Sequence, residues 1–355
     1  MDRKKILYGF QGDGRGHLSR AEVLSRELAR HHDVIVLTTD EGTAKLSEDI
    51  KKLAGVKVVA GIFSPKLYFR ANKINAFQTA LRGIVDVFLK GIPGLFIGIG
   101  VYLKYRPDII ISDLEPFTSW LAFITGTRFI SFDHQHILTE CKIAFGQEHR
   151  LNYISACLMV RSFVPRSKIN VITSFFFPPV KNTNTYIFKP IMRKEVVDYK
   201  GKVKEGNFIL VYQTTNSTFK ILDRALKAAA GEKFVVYNMG REYTEQNVTY
   251  KAVSVDNFIN DLSSCKAVIC NGGFTLISEA LFLGKPVLAI PILNSFEQVL
   301  NSIYLDRLGY GQFSREFTVP EIKRFTDNLE KFRENISQDD FYGNKDIVNF
   351  MINLV

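Results

Sequence analysis

The sequence is 355 residues long and 46% hydrophobic, enough for two cores, since a single core stops growing near about 250–300 residues. Its 24 glycines and 11 prolines are close to average usage, which excludes collagen-like and low-complexity chains. The formal net charge is +10, and residues 1–180 hold 24 Lys and Arg against 16 Asp and Glu while residues 181–355 hold 22 against 20, so the positive excess lies in the first half.

Such an excess serves nucleic acid, an anionic membrane surface or an acidic substrate. Nucleic acid is disfavoured, because no reading module, dense Lys/Arg run or basic helix with base-contacting spacing is present. Cys141, Cys157, Cys265 and Cys270 show no C-x-x-C spacing and three of them sit in apolar surroundings. That pattern predicts buried free thiols and a reducing, cytoplasmic setting.

The chain opens on MDRKKILYGFQGDG, whose apolar run is too short for a signal peptide and reads as a first buried strand over residues 5–10. The glycine loop that follows, Gly12, Gly14 and Gly16, leads into a helix. A dinucleotide site is one reading, with Asp40 at the end of the second strand as the ribose-binding acid, but the fingerprint needs a glycine where this chain has His17. At the mouth of the loop His17 is either a base usable near neutral pH or a cap on the helix. Further strands are expected over residues 34–39, 56–60, 108–112, 128–132 and 170–173. Short Val, Ile and Phe runs alternating with helical patterns are the signature of a parallel sheet built from βαβ units.

Between the third and fourth of these strands, FSPKLYFRANK interleaves aromatic and basic residues. The segment 81–108 then has an apolar centre over residues 91–103, flanked by Arg82, Lys90, Lys104 and Arg106. Thirteen residues are too few to cross a bilayer, which takes about 20. The centre reads as a buried helix of the first domain, with its rim and residues 66–73 touching an anionic membrane. At the end of the fourth strand stand Asp113 and, two residues on, Glu115. In FDHQHIL, His134 and His136 fall on one face of a strand, but no third ligand stands at a recognisable spacing, so no metal site is expected.

Residues 175–196, with three prolines and no sustained period, read as a linker. A second series of strands follows over residues 208–213, 234–238, 248–251, 267–270 and 286–290. The fold class is therefore α/β, with two doubly wound Rossmann-like domains facing a cleft. The divisions are residues 1–177, a linker at 178–200, a second domain at 201–336 and a C-terminal helix in 337–355 that packs back on the first domain. In the second domain ICNGG passes from an apolar strand through Gly272 and Gly273 into a helix whose Leu276, Ile277, Leu281 and Phe282 read as core. A glycine pair there leaves backbone N–H groups open at the positive end of the helix dipole, where an anion is held.

NGGFTLISEALFLGKPVLAIPILNSFEQVLNS resembles the donor-binding signature of GT-B glycosyltransferases, of the kind shared by UDP-glycosyltransferases and the bacterial peptidoglycan GlcNAc transferase. QGDGRGHLSRA is similar to the glycine-rich acceptor-side loop of the same superfamily, with Gly14 and Gly16 in it. The resemblance spans essentially the whole chain and implies a family 1/28-like glycosyltransferase. Gly272, Gly273 and Phe274 would then present N–H groups to the donor diphosphate, with Thr275 adding its hydroxyl. Glu279, one turn on, would take the ribose hydroxyls, and Glu297 and Gln298 the hydroxyls of the donor sugar. The loop QTTNS, Gln213 to Ser217, with Thr214, Thr215 and Asn216 at its centre, would form a second phosphate cradle, and Val253 and Phe258 would border the base, usually uracil. Asn271 departs from the pattern, standing where many relatives have a histidine on the diphosphate.

The resemblance implies direct displacement with inversion. His17, steered by Asp113, would take the proton of an acceptor hydroxyl while the nucleoside diphosphate leaves into the N–H cradle without a divalent cation. No cofactor is then required beyond a nucleotide-sugar donor, expected to be UDP-linked. The acceptor would be a glycan, a lipid or a small molecule, and the protein cytoplasmic, peripheral on the inner face of the membrane. The alternatives are a nucleotide-sugar epimerase of the same fold, an NAD-type oxidoreductase, or a non-catalytic binding protein built on a decayed transferase.

Overall fold

In the computed structural model the described residues are 3–12, 15–62, 69–70, 73–74, 91–202, 205–214, 219–252, 254–292 and 294–355. The chain divides into two units, one comprising Met1–Tyr68, Ala76–Arg193 and Tyr342–Val355, the other Phe69–Asn75 and Lys194–Phe341.

The first unit is built on a seven-stranded parallel sheet in the spatial order Val56–Val59, Asp33–Leu37, Lys5–Phe10, Ile109–Asp113, Arg128–Asp133, Ile169–Thr173, Thr185–Phe188. Its central strands, KILYGF and IIISD, are buried on both faces at all positions but Lys5 and are apolar over most of their length, as a parallel sheet covered on both sides requires. The strand order reverses between Lys5–Phe10 and Ile109–Asp113, where Phe10 stands opposite Asp113. Ligands of doubly wound sheets bind at the carboxyl ends of strands at such a reversal. The helix Arg15–Leu28 lies on the sheet through Leu18, Ala21, Leu24 and Leu28, one face at helical spacing.

The second unit repeats the plan in the order Tyr243–Glu245, Val248–Lys251, Phe234–Tyr237, Ile209–Tyr212, Ala267–Cys270, Val287–Ala289, Gly311–Phe313. In this sheet, among the described residues, only Tyr243–Glu245 runs antiparallel. Its order reverses between Ile209–Tyr212 and Ala267–Cys270, which pair in parallel with Tyr212 opposite Cys270. Val211, Leu226, Val236, Ile269, Leu288 and Phe325 are among its buried core.

Three sequence expectations are corrected. The segment 175–196 is not structureless: it carries the strand Thr185–Phe188, which adds to Ile169–Thr173 in parallel. Its prolines at 178, 179 and 190 flank the strand rather than occupy it, as a strand with a hydrogen-bonded partner demands. Tyr186 and Phe188 pack at a tilt against Phe350, with ring centroids 4.7 and 5.0 Å from it, and Phe350 belongs to the helix Asn344–Leu354, whose Ile347, Val348 and Met351 are buried in the first unit's core.

The second correction concerns the apolar centre of 81–108. It forms the helix Ile92–Tyr105, but its buried residues are Gly94, Gly98 and Val101, while Leu95, Phe96 and Leu103 face outward. Residues 81–90 and most of 66–73 lie outside the described residues. Thirdly, Leu276, expected in the core with Ile277, Leu281 and Phe282, is only half-buried.

Most of the exposed large apolar side chains among the described residues belong to three helices of the first unit: Ile92–Tyr105, Pro116–Thr125 and Arg150–Phe163. Phe96 is 69% exposed, Ile124 76% and Leu151 81%. The first two helices meet where Gly98 faces the ring of Phe117, and the last two are joined by Trp120 Nε1 donating to the Ser162 carbonyl at 2.8 Å. None of the three carries an acidic residue, and their charges are Lys104, Arg150 and Arg161. Among the described residues no helix is long and apolar enough to cross a membrane.

Candidate active site

At the first unit's reversal point the helix Arg15–Leu28 brings His17 to Asp113 at the end of the neighbouring strand. His17 Nδ1 lies 2.8 Å from Asp113 Oδ1. The carboxylate is fully buried and the imidazole retains a little exposure. Arg20, one turn beyond His17, donates from Nε to Asp113 Oδ2 and from Nη2 to Oδ1, each at 2.8 Å, and its Nη2 is 3.0 Å from His17 Nδ1. Burial disfavours the charged guanidinium, but the Asp113 charge and its hydrogen bonds outweigh that and raise the Arg20 pKa. Beneath them lies the Tyr8 hydroxyl, buried and without a hydrogen-bond partner. Burial, reinforced by Asp113, pushes its pKa well above the usual phenol value.

Glu115 does a different task. It is the N-cap of Pro116–Thr125, accepting from the N–H groups of Phe117 and Thr118 at 2.7 and 2.6 Å and from the Thr118 hydroxyl at 2.6 Å. Burial outweighs these bonds and raises its pKa. Of the two acids at this strand end, the structure brings Asp113 to His17 and commits Glu115 to the helix start.

His134 and His136 do not lie on a strand, because Arg128–Asp133 ends before them and a short helix begins at Ile137. His134 Nδ1 donates to the Thr173 carbonyl at 2.8 Å. His136 Nδ1 is 2.7 Å from Asp133 Oδ2, and Ser131 Oγ donates to the same oxygen at 2.9 Å. Burial opposes the charged form of each partner, yet the mutual attraction and hydrogen bonding win: the Asp133 pKa falls to about 2 and that of His136 rises. Among the described residues no three His, Cys, Asp or Glu side chains gather as a metal site needs.

The glycines of the first loop divide between packing and access. A methyl group at Gly12 would lie 2.1 Å from Thr39 Oγ1 and 2.6 Å from the Gly42 backbone nitrogen, so glycine there lets the loop close on the helix Asp40–Lys45. Asp40 is an exposed residue of that helix's first turn. Gly16 lies in the helix Arg15–Leu28, and Gly14 lies outside the described residues.

In the second unit the strand Ala267–Cys270 leads through Asn271, Gly272 and Gly273 into the helix Phe274–Phe282. Gly272 has φ +78°, and a side chain there would meet Ser302 Oγ at 2.7 Å and the Gln298 carbonyl at 2.8 Å. A left-handed backbone and a close neighbour both demand glycine. At Gly273, the N-cap, a methyl group would meet nothing within 4 Å among the described residues. The protein itself has no need of glycine there, and the open space lies over the helix start, whose first N–H groups have no partner within the helix. Asn301 Nδ2 anchors the loop by donating to the Gly272 carbonyl at 3.1 Å.

Asn271 spends its amide inside the unit. Its oxygen accepts from the Thr214 N–H at 2.7 Å, and its nitrogen donates to Gln213 Oε1 at 2.9 Å and to the Ile290 carbonyl at 3.1 Å. It therefore ties together three strand ends at the second reversal point, with no amide hydrogen left for a ligand. Gln213 Nε2 is buried without a partner. Glu279 is buried on the helix, while Thr275, Glu297 and Gln298 are half-buried, and Gln298 Oε1 accepts from the Ile292 N–H at 3.0 Å. Phe258 packs edge-on against Tyr212 and Tyr237 with centroids 5.6 and 5.2 Å away. Thr215, Asn216 and Val253 lie outside the described residues.

Sequence reasoning missed Arg20 and Asn301. Arg20 alone carried a signal, its three-residue spacing from His17, which places both on one helix face.

A sequence model of the family described as Glycosyl transferase family 1 matches residues 4–330. An uncharacterized glycosyltransferase of Methanosarcina acetivorans is 37% identical over 96% of this chain and 92% of its own length. The UDP-N-acetylglucosamine--N-acetylmuramyl-(pentapeptide) pyrophosphoryl-undecaprenol N-acetylglucosamine transferase of Bartonella bacilliformis is 22% identical over 89% of this chain and 82% of its own. Among solved structures, the glycotransferase of kitacinnamycin superposes with a TM-score of 0.70 over 99% of both chains at 16% identity.

Proposed function

The chain belongs to glycosyl transferase family 1 and is a glycosyltransferase of the two-domain GT-B fold, and on that premise we propose that it moves a sugar from a UDP-linked donor to an acceptor hydroxyl with inversion at the anomeric carbon. The observation that carries this reading is the buried Asp113 held against His17 at a sheet reversal point. With its Nδ1 engaged by the carboxylate, the imidazole offers Nε2 to an acceptor hydroxyl and takes its proton as the oxygen attacks. Direct displacement is favoured over a covalent sugar intermediate. Both carboxylates of that strand end are committed, Asp113 to Arg20 and His17 and Glu115 to a helix start, so neither is free to act as a nucleophile.

The departing nucleoside diphosphate is received by the N–H groups at the start of Phe274–Phe282, over the space that Gly273 keeps open. Gly272, Phe274 and Thr275 form the rest of this cradle, with Thr214, held by Asn271, beside it. Glu279 takes the ribose, Glu297 and Gln298 the sugar, and Phe258 borders the base. Asn271 supports the cradle by holding Thr214 and Gln213 in place rather than by touching the donor.

The acceptor is proposed to be lipid-borne, with the protein cytoplasmic and peripheral on the inner membrane face. Its support is the outward apolar surface of the three helices, free of acidic residues and bearing Lys104, Arg150 and Arg161. The acceptor named for the Bartonella relative is a pyrophosphoryl-undecaprenol. A thermal-shift screen of nucleotide sugars tests the donor, since a ligand that binds only the folded state raises its melting temperature. The donor that stabilises is then assayed for transfer to polyprenyl-phosphate acceptors. Stabilisation by nicotinamide dinucleotides instead of UDP-sugars would overturn the reading.

A further inference from the structure

The hydrogen-bond pattern around Asp113 contains more than a His–Asp pair. Three nitrogens converge on one buried carboxylate: Arg20 Nε donates to Oδ2 and Arg20 Nη2 to Oδ1, and His17 Nδ1 lies against Oδ1, all at 2.8 Å. Arg20 is itself only 4% exposed, and a guanidinium is a rigid planar fork that meets a carboxylate with two parallel bonds. A carboxylate gripped on both oxygens by such a fork cannot rotate about its Cβ–Cγ bond without breaking both.

That grip decides where the proton sits on His17. The ring nitrogen nearest Asp113 is also 3.0 Å from Arg20 Nη2, so two arrangements compete. If Nδ1 were bare it would accept from Arg20, and its lone pair would face the charged Oδ1 at 2.8 Å. If Nδ1 carries the hydrogen, it donates to Oδ1 beside Nη2, and the 3.0 Å separation is that of two donors sharing one acceptor. Nη2 is already bonded to Oδ1 in either case, so only the second arrangement leaves no lone pair against a negative charge.

We infer that Arg20 is a positioning residue of the proton-accepting site: its guanidinium locks Asp113 in the one orientation that keeps the hydrogen of His17 on Nδ1 and leaves Nε2 bare towards the acceptor hydroxyl. The inference rests on the reading of His17 as the base. It adds that the working unit is a His–Asp–Arg triad in which the buried carboxylate is charge-compensated before His17 takes a proton. Orientation is then the contribution of Asp113, with its negative charge already balanced by Arg20.

The test uses Arg20→Lys, which keeps the buried positive charge but replaces the fork with a point charge. Nitrogen-15 NMR of the imidazole reads which ring nitrogen carries the hydrogen, and steady-state kinetics reads the rate. The expected result is a melting temperature near that of the parent, loss of the single Nδ1–H tautomer, and kcat lower by about 10²-fold, the scale for a misplaced catalytic group, with KM for the donor unchanged. Arg20→Gln, neutral and still a donor, takes the same measurements if the Lys variant does not fold. A variant that retains the Nδ1–H tautomer overturns the inference, whatever its rate. The tautomer is read without any substrate, so an absence of sugar transfer in the parent protein would refute the proposed reaction and leave this result standing by itself.

Discussion

Gly98 lies so close to Phe117 that a methyl group built on its Cα would come within 2.0 Å of the ring. This contact draws Ile92–Tyr105 against Pro116–Thr125 and leaves Phe96, Phe123 and Ile124 on the open side. An apolar surface bordered by cations binds anionic lipid through area and charge together, and salt weakens the second part. The parent protein is expected to sediment with anionic vesicles at low salt, less so at high salt, and less again as Phe96→Ser with Ile124→Ser, whose melting temperature should hardly change. Equal and negligible pelleting with neutral and anionic vesicles would leave a soluble acceptor.

The neighbouring acids Asp113 and Glu115 should separate cleanly by mutation. His17→Ala and Asp113→Ala are each expected to lose transfer by about 10² to 10⁴-fold, the usual scale for general-base catalysis, with donor affinity retained. Glu115→Ala should cost roughly 0.5–2 kcal/mol of stability, as loss of a helix N-cap does, while its rate per folded molecule stays near the parent's. Donor affinity collapsing in His17→Ala would move that residue into the nucleotide site.

Glu279→Ala is expected to weaken UDP binding by roughly 1 to 3 kcal/mol, the range for losing a charged hydrogen-bond partner, and calorimetry is the direct measurement. Unchanged affinity would remove Glu279 from the ribose. Gly273→Ala gives an independent reading of the same site: nothing in the protein opposes the added methyl group, so stability should hold while a donor seated over that backbone is displaced.

The Asp133–His136 pair predicts a pH dependence of stability. A histidine whose pKa is raised on folding contributes stability fully below its unfolded value of about 6.5 and loses it as pH climbs through the raised folded value. An aspartate held at about 2 contributes above its unfolded value of about 3.8 and loses that as pH falls through about 2. The pair is therefore worth most between about pH 4 and 6.5. His136→Gln should cost about 3–5 kcal/mol there, the scale for breaking a buried pair, and less at alkaline pH. Urea melts of parent and variant at pH 5.5 and 9 measure it, and a constant difference would mean that His136 is neutral in the fold.

The buried strands were legible because each is an apolar run of four or more residues, with β-branched side chains, bounded by turn formers. Of the four edge strands of the two seven-stranded sheets, among the described residues, only Val56–Val59 was. Gly311–Phe313 is three residues long with no β-branched side chain, and Thr185–Phe188 sits among prolines that sequence reading takes as disorder of the pattern. The glycine pair at 272 and 273 was legible as a pair, but only the structure separates Gly272, required by its backbone, from Gly273, which faces empty space. His17 and Asp113 stood out individually, whereas Arg20 did not, because its partner is 93 residues away and comes into reach only through the parallel register that sets Phe10 beside Asp113. The exposure of Ile92–Tyr105 was illegible for another reason: a helix apolar on every side carries no mark of which side is covered.

The helix Asn344–Leu354 belongs to the first unit, although residues 194–341 of the second unit separate it from the rest of that unit. On the ribosome, the strands Lys5–Phe10 and Asp33–Leu37 emerge early, yet the side chains that close their core, Ile347, Val348 and Met351, are made last among the described elements. At about 5–20 residues per second the intervening stretch takes roughly seven to thirty seconds to synthesise. Throughout that interval the nascent first unit holds an open apolar seam along the helix Arg15–Leu28 and the rings of Tyr186 and Phe188, which Asn344–Leu354 covers in the folded protein. A chain released before residue 342 would keep the seam permanently, and a synthetic peptide of residues 342–355 supplied in trans should be able to fill it.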